Sequence, residues 1–211
     1  MTEQPAPLPL RCCLLSGGAS VRMGRDKAAL PHPEGGCWLE RSLRLLAGLG
    51  VPLTLLSRWP QHLERAGALV DELAAAGVSL ELQQEPTPQE GPLLALHRLM
   101  EQYTDQRLLL CPVDMPRLTA GCLQALRRAS EREPGRLWIA TAARPQPLLG
   151  IYPSDPGRRL RLHTAITAGE RGLQRWLAGE AVALVPLPAA LLANVNTAAE
   201  LEACAAPRAS P

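Results

Sequence analysis

Short apolar runs alternate with helical stripes through roughly the first 130 residues, and this rhythm constrains the fold more than any single residue does. Residues 11–15, 52–56, 78–82 and 107–113 are apolar stretches of strand length. Between them lie segments whose apolar residues recur at helical spacing. Positions 39, 43 and 46 mark a helix over 38–49; Leu63, Ala66, Val70 and Leu73 mark another over 61–76; a third covers 91–103. Gly50 and Gly77 are helix stops, and Thr119 is a candidate N-cap for the helix after the fourth strand. Strands that alternate with helices predict a mostly parallel sheet covered on both faces. Beyond residue 135 the pattern loosens. Residues 136–142 and 146–152 read as two pairing strands. Helical stretches follow near 155–166 and 170–178, then a late strand over 181–185 and a closing helix over 198–205. No repeat or linker divides the chain, so 1–211 is expected to form one domain with frayed ends at 1–10 and 206–211.

Composition removes several classes of function. Phe is absent and aromatics total 3%, so the core must be aliphatic and offers no stacking platform for single-stranded nucleic acid. A net charge of +2 gives no basic footprint, and the pairs Arg127-Arg128 and Arg158-Arg159 read as solvated helix faces. No apolar run approaches the ~20 residues of a membrane span, and the proline-containing start has no signal-peptide core. A cytoplasmic protein without nucleic-acid or membrane partners is expected. The six cysteines form no C-x-x-C pair and read as reduced and buried; the four histidines lack metal-ligand spacing.

Two segments carry chemistry. The first, Leu15-Ser-Gly-Gly-Ala-Ser-Val-Arg-Met-Gly-Arg-Asp-Lys27, leaves the first strand at the end that opens onto the ligand crevice of a parallel sheet. Gly17 and Gly18 permit close backbone approach and unusual dihedrals, their amides can donate to phosphate, and Arg22, Arg25 and Lys27 add positive charge. Lys27 is the only lysine beside 21 arginines, which suggests that a compact ammonium is wanted there. The spacing is neither that of a Walker A loop nor G-x-G-x-x-G. A glycine-rich surface turn with solvated cations is the plainer interpretation. The second segment, Leu108-Leu-Leu-Cys-Pro-Val-Asp-Met-Pro116, delivers Asp114 to the same crevice. One strand-end carboxylate suits Mg²⁺, which takes one or two carboxylates plus phosphate oxygens and water; a turn-forming Asp before Pro116 is the structural alternative.

The first string closely resembles the signature loop of the molybdenum cofactor guanylyltransferases, with Gly-Gly, then Arg-Met-Gly, then Asp-Lys. The Asp-Lys ending looks more like that family than its cytidylyltransferase relatives. Cys111-Pro-Val-Asp-Met-Pro116 resembles the family's Cys-x-x-Asp-x-Pro, whose Asp binds magnesium and contacts the nucleotide. Glu85 and Gly91-Pro-Leu-Leu-Ala-Leu96 resemble its acidic residue and Gly-Pro-Leu-Ala-Gly-Leu string, with Glu for the usual Asp and Ala95 for the second glycine. Ser57-Arg58 stands where the family often has Asn-Arg. Residues 146–152 and Asn194-Val-Asn-Thr197 match acceptor-side segments; a turn plus helix cap would equally explain Asn194 and Asn196.

The resemblance implies a three-layer α/β/α nucleotide-diphospho-sugar transferase fold, with a mixed, mostly parallel sheet and a Rossmann-like first half. It implies transfer of GMP from GTP to the terminal phosphate of molybdenum-bound molybdopterin, with Mg²⁺ as cofactor and pyrophosphate as by-product. Lys27 and Arg22 are the catalytic candidates. Leu15, Ser16, Gly17, Lys27, Ser57, Glu85 and Asp114 would bind nucleotide, Asn194 and Asn196 the acceptor, and Asp114 the metal. Transient contact with molybdoenzymes or their chaperones accords with such a product. A cytidylyltransferase or sugar-phosphate nucleotidyltransferase of the same fold, or a non-catalytic nucleotide-binding protein, are the alternatives.

Overall fold

The computed structural model of the chain describes residues 7–18, 26–85 and 91–194. The expected helix over 198–205 and the chain ends beyond these limits lie outside the described residues, as do Arg22 and Asn196. The sheet strands are β1 (Leu10–Leu15), β2 (Leu53–Ser57), β3 (Leu80–Gln84), β4 (Arg107–Pro112), β5 (Leu137–Thr141), β6 (Pro145–Pro153) and β7 (Val182–Pro186). Their spatial order is β3-β2-β1-β4-β6-β5-β7. β6 runs antiparallel to both β4 and β5, and every other pairing is parallel. The sheet is therefore mostly parallel, as the sequence rhythm predicts, and mixed, as the family resemblance implies.

Both faces of β1 are buried, which explains its unbroken apolar run. Cys12 and Leu14 enter one cluster with Leu39, Leu43 and Leu46 of α1 (Trp38–Ala47) and Leu123 and Leu126 of α5 (Ala120–Arg132). Cys13 points the other way, into a cluster with Leu93, Leu96 and Leu99 of α4 (Pro92–Gln102). That second layer also holds Leu162 of α6 (Pro156–Thr167) and Trp176 of α7 (Leu173–Leu177). Three layers result. The five cysteines among the described residues are free and buried.

The expected helix over 61–76 is two helices, α2 (Pro60–Gly67) and α3 (Val70–Ala75). Gly67 is a poor helix former, and a turn follows in which the Leu69 amide bonds the Ala66 carbonyl at 2.9 Å. The break turns Leu69 rather than Val70 into the core. Thr119 does precede α5 with extended backbone, but its side chain makes no cap bond; the hydroxyl lies 3.4 Å from Cys122 Sγ. Pairing of β5 with β6 brings the chain so close that a Cβ on Gly150 would sit 2.7 Å from the Trp138 carbonyl oxygen.

Arg158 departs from the solvated-face expectation. Only 4% exposed, it ties the start of α6 to three other segments. Its guanidinium donates to the carbonyls of Pro153 and Gly135, both at 3.0 Å, and to Glu180 at 3.2 Å. It also pairs with Asp155, whose side chain caps the helix by accepting from the Arg158 amide. Burial alone would raise the pKa of Glu180, but the hydrogen bonds and charges of Arg161 and Arg158 outweigh it and hold the carboxyl below its ordinary range. That contribution to stability is complete above the ordinary Glu range and is lost as pH falls through the depressed value. Arg158→Ala removes a buried partner and should destabilise the fold by about 3 kcal/mol, read from urea unfolding at pH 7. A loss within about 0.5 kcal/mol, the usual surface value, would show the residue to be solvated after all.

Candidate active site

Level strand ends create the site. Leu15 of β1 stands opposite Leu56 of β2 and opposite Pro112 of β4, so three chains leave the sheet at one rim. After β1 the chain builds outward through β2 and β3, then returns to place β4 on the other side of β1. This reversal of strand order opens a crevice at the carboxyl ends, the usual ligand position in open α/β sheets. The backbone continues the ladder past the rim: Ser16 N–H donates to Leu56 O at 3.0 Å, Val113 N–H to Leu15 O at 3.1 Å, and Glu85 N–H to Ser57 O at 2.9 Å.

A cavity of about 370 Å³ occupies this rim. Leu15, Ser16, Gly17, Lys27, Glu85 and Asp114 all line it, so six of the sequence candidates converge. Glu85 lies across Gly17, and a Cβ at position 17 would overlap its carboxylate. Close approach is the reason for this glycine; neither Gly17 nor Gly18 has a positive φ. Opposite, Lys27 Nζ lies 3.8 Å from Asp114 Oδ2. Lys27 is 9% exposed. Burial raises the Asp114 pKa above its ordinary value, and the Lys27 charge offsets part of that rise. The N-terminal turn of α4 contributes Gly91, with φ +83°, together with Pro92 and Ala95, and Leu148 of β6 completes the lining.

Two candidates fall elsewhere. Ser57 does not line the cavity. It is fully buried, and its hydroxyl donates to the Ser16 carbonyl at 2.9 Å, so it supports the start of the first loop. Asn194, the last described residue, is not among the residues that line the cavity. The sequence reading missed three polar residues of the cavity wall: Asp26, Arg58 and His62. Arg58 stacks its guanidinium over Trp59, 4.6 Å from the ring centroid. Asp26 had a signal in the Asp-Lys string; His62 had none, being one of four histidines without spacing.

A sequence model of the MobA-like NTP transferase domain matches residues 12–186. The chain belongs to this family. It is a nucleotidyltransferase. Relatives include a probable molybdenum cofactor guanylyltransferase of Rhodopirellula baltica, 33% identical over 95% of this chain and 95% of that protein. One of the same description from Mycobacterium tuberculosis is 32% identical over 94% of each chain. Among solved structures, the molybdopterin-guanine dinucleotide biosynthesis protein A of Archaeoglobus fulgidus superposes with a TM-score of 0.71, at 18% identity over 92% of this chain and 96% of that one. The 4-diphosphocytidyl-2C-methyl-D-erythritol synthase of Anaerococcus prevotii gives 0.70 at 9% identity, over 94% and 95% of the two chains. The family match begins inside β1 and ends on the last residue of β7, so it takes in every strand and the whole cavity rim.

For this MobA-like domain the raised pKa of Asp114 has a definite sign. The folded state holds the proton more tightly than the unfolded chain, so stability falls as pH rises between the ordinary and the raised value. Asp114→Asn removes that penalty. It should raise Tm near neutral pH above that of the unsubstituted protein. The gain should vanish in acid, where wild-type Asp114 is protonated. Thermal melts at two pH values check this; a lower Tm for the variant at neutral pH would contradict it.

Proposed function

We propose that the chain acts as one cytoplasmic domain that transfers GMP from GTP to the terminal phosphate of molybdenum-bound molybdopterin, releasing pyrophosphate. The observation that carries the reading is the convergence of Lys27, Asp114 and Glu85 on one cavity at the strand-order reversal. The description of the relatives supports the choice of acceptor.

The chemistry asks little of a general base. A phosphate monoester has its second pKa near ~6 and is largely dianionic at neutral pH. One of its oxygens forms the new bond to the α-phosphorus of GTP, and the bond from that phosphorus to the β-phosphate bridging oxygen breaks. The electron pair leaves on pyrophosphate. The protein's part is positioning and charge stabilisation. Lys27 holds the triphosphate, and Arg22 adds positive charge from the same loop. Leu15, Ser16 and Gly17 seat the nucleotide largely by backbone, and Glu85 accepts from the N1 and N2 groups of guanine. Asn194 and Asn196 serve the acceptor.

The donor set fits Mg²⁺. Asp114 is a single partly buried carboxylate beside a cation, and the described residues include no cluster of three His, Cys, Asp or Glu able to enclose a metal. Mg²⁺ needs no such enclosure, because phosphate oxygens and water complete its shell. When bound, it supplies a positive charge that offsets the charge of the phosphates.

Pyrophosphate release with GTP, ATP and CTP in turn, with Mg²⁺ and molybdenum-bound molybdopterin, tests the reading. Release is expected with GTP and acceptor together. Preference for CTP would move the protein to the cytidylyltransferase branch, and tight nucleotide binding without release would mark a non-catalytic binder. Lys27→Ala and Asp114→Ala should each lower turnover by about a hundredfold or more while the fold survives. Near-normal turnover in both would remove the mechanism.

A further inference from the structure

Beneath the cavity wall a continuous chain of hydrogen bonds joins the two ends of the glycine-rich loop. Ser16 begins the loop at the rim of β1, and Asp26 precedes Lys27 where the loop returns. His62 lies between them, in the first turn of α2 and 4% exposed. Its Nε2 is 2.8 Å from Asp26 Oδ2. Its Nδ1 is 2.9 Å from Ser16 Oγ and 3.0 Å from Ser57 Oγ.

A carboxylate only accepts, so Nε2 carries the hydrogen and donates to Asp26. Nδ1 faces the Ser16 and Ser57 hydroxyls and also the Ser16 carbonyl oxygen at 3.1 Å, so the ring is tied to both serines. The Ser57 hydroxyl donates to the Ser16 carbonyl at 2.9 Å, and the Trp59 amide donates to Ser57 Oγ at 3.1 Å. At the far end, the other oxygen of Asp26 accepts from the Ala28 amide at 3.0 Å and bends the backbone around Lys27. These contacts form one connected polar network at and beneath the surface of the cavity, and such a network rigidifies its surroundings.

We infer that His62 is a positioning residue that clamps Asp26 to the end of β1 and so holds Lys27 where the triphosphate binds. The inference rests on the reading of Lys27 as the triphosphate ligand and goes beyond it by naming what fixes that lysine. A lysine side chain has about 2 kcal/mol of rotamer entropy, and a backbone fixed at both neighbours leaves only the side chain itself to order. The clamp runs from α2 through His62 and Asp26 to Lys27, whose ammonium faces Asp114 across the cavity. Ser, His and Asp also form nucleophilic triads elsewhere. Here Ser16 is 2% exposed and Nδ1 is shared among the Ser16 hydroxyl, the Ser57 hydroxyl and the Ser16 carbonyl, so the serine is a strut. Ser57 acquires a role it could not have as a ligand contact: it seats the Ser16 carbonyl and the imidazole together.

The test is a double-mutant cycle on kcat/KM for GTP with His62→Ala, Lys27→Ala and the pair. His62→Ala alone should lower kcat/KM by about tenfold to a hundredfold, the effect of a misplacement near 1 Å. In the Lys27→Ala background the same change should cost less than about threefold, because the group it positions is gone. His62→Gln, whose amide reaches the Nε2 position and can still donate to Asp26, should retain more activity than His62→Asn, whose amide matches Nδ1. This ordering also carries the test if His62→Ala does not fold, which thermal melts will show. Equal losses from His62→Ala in both backgrounds, or Asn outperforming Gln, would overturn the clamp while leaving Lys27 in place. A harmless Lys27→Ala would overturn the triphosphate reading and the clamp together.

Discussion

The parallel ladder of β1 between β2 and β4 is the constraint on which the rest depends. A parallel pair cannot be closed by a tight turn, so each strand must be followed by a crossover, and each crossover begins at the same rim. Because Leu15 is in register with both Leu56 and Pro112, the residues just beyond them emerge side by side although they are far apart in sequence. Backbone hydrogen bonds thus fix the spacing of the site before any side chain acts. The apolar core on both faces makes that ladder rigid, since no strand of this central group can slip without moving Leu and Cys side chains out of two clusters.

Into this rim the protein sets opposite charges that are each unfavourable alone. Asp114 is pushed toward its neutral form by burial, and Lys27 beside it partly restores the charge. At 3.8 Å the two groups form a long ion pair. A binding site built this way stores some stability cost against the arrival of its ligand, a trade common at functional sites. Arg158 shows the contrasting case. Its pairing with Asp155 and Glu180 is short and supported by carbonyl acceptors, so the same kind of buried charge serves as a structural tie.

The two buried arginine and histidine networks share a feature that makes them invisible to pattern reading. Arg158 and His62 gain their roles from partners 22 and 36 residues away in sequence. Nothing in periodicity marks either as buried: Arg158 sits in a doublet that resembles a solvated face, and His62 sits in a helix start behind a proline. The split of the helix over 61–76 was likewise obscured, because the apolar spacing continues across Gly67 with only a small change of phase. Ser57 is a nucleotide contact by resemblance to the family's Asn-Arg position; in the structure it is the last residue of β2 and its hydroxyl turns inward to Ser16.

By itself the sequence determined the alternation of elements, the parallel half of the sheet, the pair of strands after residue 135, and the two strand-end segments that hold Lys27 and Asp114. Those features are local: strand and helix periods, glycines at turns and a carboxylate after an apolar run are written in consecutive residues. The tertiary structure alone decided that Glu85 lies across Gly17, that Ser57 faces inward, that His62 joins Asp26 to Ser16, and that Arg158 is buried. Each of these depends on which of two faces a side chain takes and on what another crossover brings opposite it. A hydrogen bond of 2.8 Å is a condition on three-dimensional separation, and no spacing along the chain encodes it.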